Sequence, residues 1–139
     1  MKLEISVLGL LIILLWGFWG FLYKYGVMKL GLLPTLLVTN LVYMLTNFII
    51  LLYLYRRGVG VPLSTPTLLV SAGTIFGVLA SILFLVALEK YPGSIVVPLT
   101  ALYPAVTTIL AVLLIGERIS PINALGILLA LVAGYLLTR

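Results

Sequence analysis

The sequence predicts an all-α membrane protein, a five-transmembrane-helix bundle forming a single domain over residues 1–139. Three observations lead there. Of the 139 residues 64% are hydrophobic and 8% charged, against about 25% charged in soluble globular domains, so a water-soluble core of this size has no room for the apolar surface. The apolar residues fall into five runs, Ile5–Tyr23, Leu32–Tyr55, Pro66–Leu88, Ser94–Ile115 and Pro121–Leu137, each near the roughly 20 residues that cross a hydrocarbon core. Finally, nearly all of the charge sits in the links between them. In hydrocarbon each backbone donor must be satisfied within its own segment, and these runs lack the alternation of barrel strands, so each run is a helix.

The first run follows Lys2 as a secretory signal would. Its far end carries Trp16-Gly17-Phe18-Trp19-Gly20 and then Tyr23-Lys24-Tyr25, bulky aromatics where a cleavage site wants small residues, so the run reads as a retained helix. Trp16, Trp19 and Tyr23 form an aromatic face, with Gly20 leaving room for a close neighbour. Trp near a segment end anchors to the membrane interface. These two stand past the middle of the run, however, and the face is a candidate cavity wall.

Gly31 and Pro34 open the second run, in which Asn40, Tyr43 and Asn47 recur at i, i+3 and i+7 and share a face about 60° wide. Thr39 and Thr46 flank it. An Asn amide left facing lipid is costly. The stripe therefore either bonds a neighbouring helix, worth roughly 0.6 kcal/mol per contact, or faces solute. A link with Gly58, Gly60, Pro62 and Ser64 precedes the third run, whose Gly73, Gly77 and Ala80 form a small-residue series expected to pack within the chain.

Pro92 and Gly93 introduce the fourth run. There Pro98 and Pro104 lack the amide donors that would bond the carbonyls of Ser94 and Thr100, and Thr100, Tyr103 and Thr107 share a face with those carbonyls in a continuous helix. Interrupted helices in a membrane are tolerated where they are buried in protein or line a cavity, and they point to transport sites. Beyond a Gly116–Pro121 link, the fifth run carries Gly126, Ala130 and Gly134. This series suits internal packing or a seam between two copies, and we assign it to the seam.

An odd number of spans puts the termini on opposite sides. Lys2, Arg56, Arg57 and Arg118 share the side of the N-terminus, and Lys24, Lys29, Lys90 and Arg139 the other. Because Lys and Arg in short loops set orientation, this even division predicts insertion both ways up and an antiparallel homodimer. The net charge of +5 is dispersed over loops and forms no stripe for nucleic acid; the partners expected are a second copy, a small-molecule solute and the lipid bilayer. No Cys, His or Asp occurs, and the acids Glu4, Glu89 and Glu117 lie at segment ends. That inventory predicts no enzyme, no cofactor and no metal site.

From Tyr103 onward, Tyr103-Pro104-Ala105-Val106-Thr107-Thr108, then Gly116-Glu117-Arg118-Ile119-Ser120, then Leu125-Gly126 through Ala133-Gly134, the chain resembles EamA-type members of the drug/metabolite transporter superfamily. Trp16-Gly17 and Ala87-Leu88 fit more loosely. Members of that family have ten helices in two five-helix repeats of opposite orientation around a central cavity, and this chain resembles one repeat. Small multidrug resistance proteins resemble it less, having four helices and a first-helix Glu absent here. The resemblance implies a multi-pass carrier of small organic metabolites in the inner cell membrane, an exporter or exchanger working as an antiparallel homodimer by alternating access. Trp16, Trp19, Tyr23, Asn40, Tyr43, Asn47, Tyr103 and Thr107 are the expected cavity wall, with Pro98 and Pro104 shaping the fourth helix. Two other readings stay open: a subunit of a lipid-linked sugar flippase, and a non-transporting membrane assembly protein.

Overall fold

A computed structural model describes the backbone of residues 2–137 and the side chains of residues 6–137. The terminal charges Lys2 and Arg139 of the loop count, and the Glu4 carboxylate, lie outside these described side chains. Among the described residues there are six α-helices and no strand: α1 (Lys2–Leu30), α2 (Leu32–Arg56), α3 (Thr65–Lys90), α4 (Gly93–Thr100), α5 (Tyr103–Leu110) continued by a π-helical turn at Ala111–Ile115, and α6 (Pro121–Leu137). Four stretches, Ser6–Leu30, Leu32–Arg56, Thr65–Lys90 and the broken Gly93–Ile115, are long and apolar enough to cross a membrane. The shorter α6 has 17 residues, at the lower end of the spanning range.

The first helix outruns its expected end at Tyr23 by seven residues. Lys24 and Lys29 are good helix formers, and the single Gly26, costing about 1 kcal/mol, does not stop the helix before Gly31. Gly31 takes φ 86° and ψ 172°, a region open essentially to glycine alone, and its amide bonds back to the Val27 carbonyl at 3.0 Å, so α1 stops where a side chain would be strained. A single residue thus links α1 to α2. The buried Thr35 donates its hydroxyl to the Gly31 carbonyl at 2.7 Å. A Cβ on Gly26 would stand 3.3 Å from the Thr35 methyl, so the helices approach closely here.

At the far end of α2, Val59 N–H bonds the Leu54 carbonyl (3.2 Å) and Gly58 N–H the Tyr55 carbonyl (3.0 Å), with Gly58 at φ 68°. This is a Schellman stop, and it satisfies carbonyls the helix leaves unpaired. The Arg57 guanidinium lies 5.3 Å from the centre of the Tyr53 ring. Ser120 caps α6, its hydroxyl accepting the Asn123 N–H at 3.2 Å, and Pro121 fills the first helical position, where no donor is needed.

The helices form two compact units, divided between Lys90 and Tyr91. In α1–α3 the buried residues gather at one end: Gly20 and Val27 late in α1, Thr35 in the first turn of α2, and Phe84, Leu85 and Leu88 in the last turns of α3. Leu85 and Leu88 are the largest fully buried side chains. Towards the other end the helices part. Every residue from Asn40 to Arg56 is exposed, and a Cβ on Gly73 or Gly77 would meet nothing within 4 Å. The expected internal packing of the Gly73, Gly77 and Ala80 series is therefore absent among the described residues. The same stripe of α3 packs only lower down, through Phe84 and Leu88.

The fourth run departs from one continuous helix. α4 continues past Pro98 to Thr100, a turn at Ala101–Leu102 follows, and α5 begins with Pro104 in its first turn. Pro104 makes the break, since its ring excludes the carbonyl four residues back, at Thr100, from a continuing helix. Val96, Ala105 and Gly134 are buried in the α4–α6 unit. A Cβ on Gly134 would overlap Cδ1 of Leu102, so this glycine accommodates a side chain of its own unit.

Candidate solute-binding site

With α1 running to Leu30, Trp16 stands at its midpoint, and Trp19 and Tyr23 lie well inside the helix instead of at its end. One turn of helix separates Trp19 from Tyr23, and their rings are 4.5 Å apart and tilted by 39°. Trp19 also meets Phe84 of α3, ring centres 5.0 Å apart and planes within 12°, a stacked arrangement that aromatic quadrupoles favour when offset. Tyr23 reaches α2, its hydroxyl 3.3 Å from that of Tyr43. Gly20, between Trp19 and Tyr23 in the chain, is buried.

Three of the expected wall residues, Trp19, Tyr23 and Tyr43, are thus brought together from two helices, and Phe84 completes the cluster from a third. Sequence reasoning misses Phe84 because one Phe among many apolar residues carries no mark of its own. A signal exists: it lies seven residues after Gly77, on the stripe of small residues in α3. Lys24, a loop charge by sequence, is half-buried within α1, and its ammonium donates to the Leu88 carbonyl at 2.6 Å.

The remaining candidate residues of α2 lie on its exposed surface. Asn40 gives its amide to the Leu36 carbonyl of its own helix at 2.8 Å, which leaves its oxygen on the exposed surface. Asn47 is exposed and makes no hydrogen bond among the described residues. Trp16 is exposed on the same α1 face as Trp19 and Tyr23. Between them these residues offer π faces, hydroxyls and amides and no carboxylate. Such a surface holds a solute by stacking, cation–π attraction and hydrogen bonds.

Tyr103 and Thr107 belong to the other unit. The break at Ala101–Leu102 removes the continuous face expected to join them to Thr100, but they stay one turn apart on α5, the Thr107 hydroxyl donating to the Tyr103 carbonyl at 3.3 Å. Both are exposed. Beside them a cleft of about 520 Å³ opens between the α4–α5 turn and α6, with Pro104, Thr108, Glu117, Asn123, Gly126 and Ala130 in its lining. Pro104 therefore shapes this cleft as well as breaking the helix. Around Gly126, unlike Gly134, the space is open: a Cβ there would have no neighbouring atom within 4 Å.

No curated protein and no solved structure matches the chain. The model of the EamA-like transporter family, which is a family of carriers and not of enzymes, matches residues 4–139; the chain belongs to that family and is a multi-pass membrane transporter of the drug/metabolite transporter superfamily.

Proposed function

We propose that the protein carries small organic metabolites across the inner cell membrane as an antiparallel homodimer, by alternating access. The observation that supports this reading most is the cluster of Trp19, Tyr23, Tyr43 and Phe84, drawn from three helices and placed where those helices begin to part. Stacked rings and paired hydroxyls in apolar surroundings recognise a solute without reacting with it. Trp16, Asn40 and Asn47 line the same parting, while Tyr103 and Thr107 of α5 belong to the other unit, beside its own cleft.

The homodimer rests on the even division of cations near the helix ends, Lys24 of α1 among them, and on the unfilled surface beside Gly126 and Ala130 of α6, since Leu102 occupies the space at Gly134. Amino acids, nucleobases and organic cations, screened by thermal shift, should include solutes that raise the melting temperature and show saturable counterflow in proteoliposomes. Vesicles with protein that take up every stabilising solute no faster than empty ones would overturn the carrier reading. C-terminal reporter fusions should be active on both sides of the membrane; a single fixed orientation would overturn the antiparallel pairing.

A further inference from the structure

We infer that Lys24 is the latch of a gate at the packed end of α1–α3, its bond to the Leu88 carbonyl holding the end of α3 against α1. The inference takes its purpose from the alternating-access reading, but its test reads helix opening directly and not transport. Leu88 lies two residues before the end of α3 at Lys90, so its carbonyl is one of the four the helix cannot pair internally, and it stands at the negative pole of the helix. An ammonium donated to it at 2.6 Å is a charge-assisted bond between two helices. The remaining closure at this end is apolar: Leu85 and Leu88 are buried, and Trp19 stacks on Phe84.

The latch and the aromatic cluster share both helices at one turn's remove. Lys24 follows Tyr23 directly, and Leu88 follows Phe84 by four residues. A solute that separates Trp19 from Phe84 pulls α3 away from α1 one turn from the latch, straining its bond. Breaking that bond lets the packed end open, whereas the other end, where Gly73 and Gly77 already face open space, needs no release.

The chain contains no cysteine, so single thiols can be read without background. Leu85→Cys places one in the packed end and Gly77→Cys one in the open half, where a side chain fits. Labelling by a polar maleimide in permeabilised membranes should be slow at position 85 and fast at position 77. Adding Lys24→Met should speed labelling at position 85 by about tenfold or more, the scale of a lost hydrogen bond to a charged group, and leave position 77 unchanged. Lys24→Arg, which keeps a cationic donor, should label like the parent. Should the Met variant aggregate, Lys24→Gln is read by the same criteria. Unchanged labelling at position 85, or an equal rise at both positions as in general loosening, would overturn the latch.

Discussion

The helices α1–α3 are tied to one another by long side chains, while the α4–α6 unit packs closely through a glycine. Tyr23 meets Tyr43, Trp19 meets Phe84 and Lys24 meets the α3 carbonyl end. Hydroxyls bond back to their own helix in both units, Thr46 to the Val42 carbonyl at 2.9 Å and Thr100 to the Val96 carbonyl at 2.8 Å, but close packing in the second unit comes from a glycine, Gly134, against Leu102. Unbroken helices satisfy their own backbones and leave aromatic side chains available for contacts between helices. Where Pro104 interrupts the chain, short helices meet through small residues, as at Gly134. On the proposed reading the aromatic recognition groups belong to the first unit, while the second holds the interrupted helix.

The sharpest way to break this contrast is at the packed end. Leu88→Ala removes a fully buried side chain and should cost about 2–5 kcal/mol by unfolding in detergent, towards the lower figure because lipid-like solvent already accommodates exposed Leu. Leu114→Ala, on an exposed face, should cost little; equal losses would deny that the end is packed. Next in size, Gly134→Leu drives a side chain into Leu102 and should cost about 1–3 kcal/mol by overpacking. Gly126→Leu should leave the melting temperature near the parent's and lower the crosslinked dimer fraction. A fold that tolerates Gly134→Leu would remove the packing role from this glycine.

The smallest effect on stability is expected at Asn47. Without a partner among the described residues, its replacement by Leu should change stability by no more than about 0.5 kcal/mol and weaken solute-induced stabilisation. Had it bonded another helix, the stranded partner would cost about 1–3 kcal/mol. A destabilised Asn47→Leu protein that still binds solute like the parent would take this stripe out of the cavity wall.

Much of the helix layout is legible in the sequence, because hydrocarbon thickness sets run length and Gly31, Gly58, Gly116 and Pro121 stop or start helices by local geometry alone. Lys24 misleads at the end of the first run: a charge looks like a membrane boundary until a carbonyl across the fold accepts it. Prolines mark the fourth run as interrupted, yet only the backbone distinguishes Pro98, which α4 runs through, from Pro104, which ends it. The aromatic stripe on α1 follows from 3.6-residue periodicity. Phe84, its partner from α3, does not, since which residues of different helices meet is decided by packing and leaves no periodic trace.

Tryptophan emission gives the most direct test that the aromatic cluster is where solute binds. The chain has two Trp, so Trp16→Phe leaves Trp19, stacked on Phe84, as the only emitter. In proteoliposomes, a transported solute should shift or quench Trp19 emission saturably, with half-effect at the concentration that half-saturates flux, and Phe84→Leu should move both values together. Saturable flux with Trp19 emission unchanged throughout would contradict a binding site at this cluster.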